Sequence, residues 1–250
     1  MFYKSLLLVF AFCTTVTSSA RKFKSKHLPD YISPCHTGDP NLSKCAIIQG
    51  NKAIPQVLKG DPNFKLLSFN PFKLEKMDFT ANRNLELHLR NLKIFGLDTT
   101  EMIDANMNLK ERHISIKFLT RSLKLTMNYN IKGQLLFLPI SGEGPTTFQF
   151  DECTFDYSFN YDLVTKSDGK LYIGNIRPAV TFKIPKAKFH FENLFNGNKE
   201  LGDNINRVLN ENPQEIIAEF GILIKEIINI VATSIFESYL TVVPFEEIFI

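Results

Sequence analysis

The side chains able to do chemistry are thinly spread along this chain of 250 residues. His27, His36, His88, His113 and His190 stand far apart, and none belongs to a His-Glu-x-x-His pair. Gly-x-Ser-x-Gly, Cys-x-x-Cys and the Walker loop are also absent, so the sequence carries no signature of a zinc hydrolase, serine hydrolase, dithiol or nucleotide site. His88 and His113 fall on the polar positions of alternating segments and are expected on a solvated face. Asp151 and Glu152 are adjacent carboxylates, but neighbours in a strand point to opposite faces, which makes them poor acid–base partners. Ser141-Gly142-Glu143-Gly144-Pro145 is glycine-rich, yet a phosphate cradle needs a helix N-terminus after it, and a strand pattern follows instead. That stretch is expected to be a loop. The chain is therefore not expected to be an enzyme, and no catalytic residue, cofactor or metal ligand is assigned.

The remaining reactive groups are cysteines, and their use depends on the compartment. Lys4, an unbroken apolar run over residues 6–13, and Ser18 and Ala20 at the −3 and −1 positions form a three-part secretory signal. Residues 1–20 are expected to be that signal and residues 21–250 a single secreted domain in extracellular fluid. The run is shorter than the roughly 20 apolar residues of a membrane span, and the later stretch 222–231 is interrupted by Lys225 and Glu226. Stable membrane insertion is not expected. Cleavage would remove Lys4 and no acid, lowering the formal charge from +3 to +2. So small and dispersed a charge excludes a nucleic-acid face, and the basic start at residues 21–26 reads as a polar terminus. Cys13 leaves with the signal. Cys35 and Cys45, flanking a turn-rich segment, are expected to form a disulfide in an oxidising compartment. Two cysteines cannot supply a four-ligand zinc site, and His36 is a poor third ligand. Asn41-Leu42-Ser43 in the same segment is the glycosylation sequon. Cys153 is left over and is expected to be an inert buried thiol.

The elements that must position everything else follow from periodicity. Residues 46–59 show a broken helical pattern that Pro55 should end or kink. From Met77 the period becomes two. Met77, Phe79, Leu85, Leu87 and Leu89 share a parity that Leu92 and Ile94 leave, which predicts a β-bulge near Asn91. Ile114, Ile116 and Phe118 alternate with polar residues, and residues 123–137 alternate without a break. Such length implies antiparallel strands with one dry and one wet face. Phe148 and Phe150 open another strand, a second parity switch predicts another bulge near Asp151, and Cys153, Phe155, Tyr157, Phe159 and Tyr161 then form one row. Ser167-Asp168-Gly169 is a hairpin turn, and Pro178 and Pro185 mark edge or bulge points in the strands that follow. A short helix over residues 201–209 stops near Asn212, and Pro213 begins a helix of about seven turns, apolar over most of its circumference.

A helix that is apolar on so many sides must be enclosed, and long one-faced strands can enclose it only by curling. The expected fold is α+β, a strongly curved antiparallel sheet wrapped around the long C-terminal helix. The chain has 23 Phe and 7 Tyr but no Trp, and this aromatic excess should line the interior. An apolar interior with few polar groups suits a small hydrophobic ligand. About ten buried carbons at roughly 0.8 kcal/mol each give ~8 kcal/mol, the scale of micromolar affinity before immobilisation costs. The inward candidates are Met127, Tyr129, Phe148, Phe155, Tyr157, Phe159, Phe182, Phe220 and Ile224, with Tyr129, Tyr157 and Tyr161 as possible polar anchors. The competing expectation is an extracellular interaction module that acts through its surface and whose tunnel is vestigial.

Several longer stretches carry a family resemblance. They are Asp39-Pro40-Asn41-Leu42 between the paired cysteines, Tyr129-Asn130-Ile131-Lys132-Gly133-Gln134-Leu135-Leu136, and Leu138-Pro139-Ile140-Ser141-Gly142-Glu143-Gly144. The most specific is Leu194-Phe195-Asn196-Gly197-Asn198-Lys199-Glu200-Leu201-Gly202, followed by Val208-Leu209-Asn210-Glu211-Asn212. In these stretches the chain resembles the insect takeout-like proteins of the haemolymph juvenile hormone-binding protein family. The resemblance implies an elongated hydrophobic tunnel of the tubular lipid-binding kind, with juvenile hormone, a related terpenoid or a fatty-acid-like lipid as ligand in extracellular fluid such as haemolymph. A single N-terminal disulfide fits the takeout-like branch, whereas the hormone-binding branch has a second one that Cys153 has no partner to form.

Overall fold

The computed structural model describes residues 23–81, 85–136 and 138–250. The expected signal segment with Cys13, the first basic residues Arg21 and Lys22, and the predicted strand end at Phe137 lie outside the described residues. Helix α1 spans Leu42–Val57, and strands β1 (Phe72–Ala81), β2 (Leu85–Phe95), β3 (Thr100–Asn108), β4 (His113–Leu135), β5 (Leu138–Thr165), β6 (Leu171–Lys183) and β7 (Lys186–Phe191) follow. Helices α2 (Lys199–Glu211), α3 (Pro213–Glu219), α4 (Gly221–Leu240) and α5 (Phe245–Ile248) complete the chain.

All seven strands form one antiparallel sheet whose spine is the β4–β5 pair, in register from His113↔Asn160 to Leu135↔Leu138. On the far side of β4, β2 pairs with the half nearer the hairpin and β3 with the other half. On the far side of β5, β7 and β6 divide the strand in the same way. The bulge predicted near Asn91 is present: the β2–β4 register shifts between Arg90 and Lys93, and Asn91 has φ 54°.

The second parity switch has a different origin from the bulge expected near Asp151. The β4–β5 register does not shift there, since Thr120↔Cys153 and Ser122↔Asp151 belong to one continuous ladder. Instead both strands change face together. Arg121 and Ser122 are both exposed, as are Asp151 and Glu152, and Glu152 takes φ 57°. The two carboxylates thus share the outer side rather than opposing each other, and Asp151 accepts a 2.8 Å hydrogen bond from Ser122 Oγ. In line with this kink, β2 gives way to β3 at residues 96–99 and β6 to β7 at residues 184–185. A single crease therefore crosses the whole sheet. On one side the core is built from β1, β2, β7 and the hairpin ends of β4 and β5; on the other it is built from β3, β6 and the remainder of the spine.

Three further expectations are corrected. The stretch from Ser141 to Pro145 is not a loop but part of β5, paired with β4. Its glycines are there for close approach: a Cβ on Gly142 would lie 2.9 Å from Leu194 Cα, and one on Gly144 3.0 Å from Glu192 O. The C-terminal helix is two helices, because Phe220 (φ −88°, ψ 10°) leaves helical geometry between α3 and α4. Helix α1 starts at Leu42 rather than near Ala46 and runs two residues past Pro55, which has no N–H to donate to the carbonyl of Asn51. The predicted Ser167–Gly169 turn and the placement of Pro178 in an edge strand agree with the structure.

Cys35 and Cys45 are bonded, joining the N-terminal strap, residues 23–41, to the first turn of α1. Cys153 is fully buried on the dry face at the crease, and its thiol is pushed up to about 12, chiefly by burial and then by the charges of Asp151 and Glu152. Cys153 is therefore expected to resist a thiol-modifying reagent in the native protein at neutral pH and to react at the unfolding rate; prompt labelling would contradict its burial. At the crease itself Gly96 has φ 92°, and an added Cβ would stand 2.1 Å from the carbonyl oxygen of Ser122. Gly96→Ala is expected to cost about 2–3 kcal/mol, read as a lower denaturant midpoint at unchanged slope.

Candidate functional site

Between the sheet and the helices lies a cavity of about 350 Å³. It lies at the crease. Ile94, Thr100, Thr120, Leu123 and Phe150 come from the strands at that line, and Leu97 and Ile184 from the connections that cross it. Helix α4 supplies the opposite wall from Ile224 to Leu240, and α1 closes one side with Gly50, Ala53, Ile54 and Val57. Leu28 and Ile32 of the N-terminal strap also reach in. A smaller space of about 40 Å³ adjoins it toward β7 and shares Leu125, Phe150, Ile224 and Ile227 as a common wall. The interior is thus elongated but pinched.

Of the residues assigned to the interior from sequence, Phe155, Tyr157 and Ile224 line the main cavity. Met127, Phe148 and Phe220 line the smaller space, together with Ile224. The others are used up in packing. Tyr129 meets the ring of Phe191 edge-on at 4.9 Å and donates to Glu192 O at 2.6 Å; burial, with the Glu192 charge, pushes its phenol up to about 12. Phe159 packs between Tyr157, Tyr161 and Phe236, and Phe182 lies across from Phe155 in the β5–β6 ladder. Tyr161 is 1% exposed, and its hydroxyl has no hydrogen-bond partner among the described residues. Asn41 stands exposed ahead of α1.

The α1 contribution was missed, because its apolar residues are too irregular to reveal a wall. The signal that marks it is a polar one. The side chain of Asn51 accepts from Met102 N at 2.7 Å and donates to Met102 O at 2.9 Å, so α1 is fastened to the open edge of β3. The same device recurs at β7, where Asn206 clasps Phe191 and Asn210 clasps Phe189 through both backbone groups. Asn206 and Asn210 are one helical turn apart and Phe189 and Phe191 two strand residues apart, so the two spacings match.

Among the described residues, no Lys, Arg, His, Asp or Glu lines the cavity. The hydroxyl-bearing residues of its lining are Thr100, Thr120, Tyr157 and Tyr239. Tyr157 bonds Thr233 at 2.8 Å, and Thr233 donates to Asn229 at 3.0 Å. Tyr239 bonds Tyr31 at 3.0 Å, and Tyr31 donates to Asp61 at 2.6 Å. Burial pushes the phenols of Tyr157, Tyr239 and Tyr31 upward, so all three stay protonated across the physiological range. Outside the cavity, His88 pairs with Asp78 on an exposed face and His113 with Asn160. No described group of three or more His, Cys, Asp or Glu could hold a metal ion, and no described helix is long and apolar enough to cross a membrane.

Comparison with known proteins places this geometry. The family described as haemolymph juvenile hormone binding protein matches residues 7–250. The chain is similar to the circadian clock-controlled protein daywake of Drosophila melanogaster, 25% identical over 92% of each chain. Its similarity to daywake of Drosophila yakuba is 24% over 90% of this chain and 89% of that one. Among solved structures, Takeout 1 of Epiphyas postvittana superposes with a TM-score of 0.77 at 27% identity, covering 87% of this chain and 99% of that one.

Asn51→Ala is expected to lower stability by about 1–3 kcal/mol, because it strands two backbone groups of β3. Hydrogen exchange at the Met102 amide should accelerate more than exchange in the β4–β5 ladder. Equal acceleration in both would show that the clasp does not hold α1 locally.

Proposed function

The chain belongs to the haemolymph juvenile hormone binding protein family, and from that membership we propose that it is a secreted carrier of a small hydrophobic molecule. The observation that carries this reading is the cavity of about 350 Å³ at the crease, without a charged residue in its described lining. That volume falls within the roughly 300–1,000 Å³ range of small-molecule sites. The same cavity counts against a module whose interior is vestigial. A juvenile-hormone-like terpenoid or another lipid of similar length is the class of guest that this reading assigns. Transport in extracellular fluid agrees with the leader-like residues 1–20 and the Cys35–Cys45 bond. The reading involves no chemical step: the protein shields an apolar molecule from water and gives it up unchanged.

Native mass spectrometry of the secreted protein should show a bound lipid, and a fluorescent apolar probe should be displaced by hydrocarbons. Ile227 stands on the wall common to both spaces. Ile227→Trp is therefore expected to weaken the probe at least tenfold while the melting temperature moves by only a few degrees. A protein that retains no lipid and takes up no apolar probe would overturn the carrier reading.

A further inference from the structure

We propose that Leu125, Phe150, Ile224 and Ile227 form a stop that sets how long a guest can be, and that Phe150 is its main specificity-determining residue. This rests on the carrier reading and adds to it a length class and the side chains that fix it.

The stop is the partition between the two interior spaces. Those four residues line both of them. Leu125 and Phe150 come from β4 and β5, and Ile224 and Ile227 from the first turns of α4, so the partition closes from opposite walls. The crease decides where it stands. Phe150 is buried, and it is the last inward residue of β5 before Asp151 and Glu152 turn outward. Beyond it the smaller space is walled by Phe148 and Phe189, whose ring centroids lie 6.3 and 6.0 Å from that of Phe150. Phe148 in turn meets Phe189 edge-on at 5.1 Å. A cluster of rings therefore stands behind the partition on the β7 side.

The volumes turn this partition into a length. An apolar cavity of about 150 Å³ takes one benzene, so a guest carbon uses about 25 Å³. On that scale the main cavity of about 350 Å³ holds roughly 14 heavy atoms, and the smaller one of about 40 Å³ roughly one or two. Each carbon added to a chain tightens binding about fourfold while it is buried. Once the chain reaches the partition, a further carbon has no dry place to go and the gain ends. Only movement of Phe150 would connect the smaller space, and moving a packed ring forces its neighbours off their contacts.

The test uses the full secreted protein and linear 1-alkanols of about 8 to 20 carbons, each displacing a fluorescent apolar reporter. For the wild-type protein, affinity should climb about fourfold per carbon and then level off or fall between about 12 and 16 carbons. Phe150→Ala removes the ring from the partition and opens the smaller space, so the break in the series should move up by at least about four carbons. Ile224→Ala opens the same partition from the helix and should move the break by about two to four carbons, which carries the test if Phe150→Ala does not fold. An affinity for the wild-type protein that keeps climbing beyond about 18 carbons would show that there is no stop. Variants that weaken every length alike, with the break unmoved, would show that these residues merely fill space. Either result overturns the proposal. If no alkanol of any length displaces the reporter from the wild-type protein, the carrier reading itself falls and takes the proposal with it.

Discussion

The register between β4 and β5 is the constraint on which the rest of the structure depends. At about 3.3 Å per residue, strands of 23 and 28 residues would extend to roughly 75 and 90 Å. The pair bends where both strands change face without losing register. Once the spine is creased, its neighbours cannot continue straight across. Hence β2 yields to β3 and β7 to β6 along the same line. Helix α4 spans the concave side but cannot follow a corner, and the space between helix and crease is the cavity.

Long, divided sheets expose edges, and unpaired strand edges invite association. Here β3 and β7 each end against a helix whose asparagine side chains imitate a neighbouring strand, taking one backbone donor and one acceptor apiece. The same contacts fix the helices. Helix α1 is held at its start by a covalent bond and along its length by Asn51, which makes it a wall rather than a loose cover.

Much of this was legible in the sequence because alternation is a local property. The rows through Leu123–Ile131 and Cys153–Tyr161, the bulge at Asn91 and the turn at Gly169 all follow from which residues share a face. The misread elements depend on partners distant in sequence. Gly142 and Gly144 look like loop punctuation until residues 192–194 pack against them, and the apolar pattern runs through Phe220 although the helix does not. The candidate site was legible only in part for the same reason. Parity shows that Tyr129, Phe159 and Tyr161 point inward, as Phe155 and Tyr157 do, but not that the first three meet other side chains while the last two meet the cavity. That distinction is set by where α4 and α1 stand, which no strand pattern encodes.

The strap that closes the cavity has a temporal consequence. Cys35 N donates to Ile248 O, Ile250 N donates to Cys35 O, and Phe249 bridges to Cys35 in parallel. Residues near position 35 are thus seated by residues near position 250. During synthesis the strap therefore has no seat until residues 248–250 have been made, whatever the state of the sheet before then.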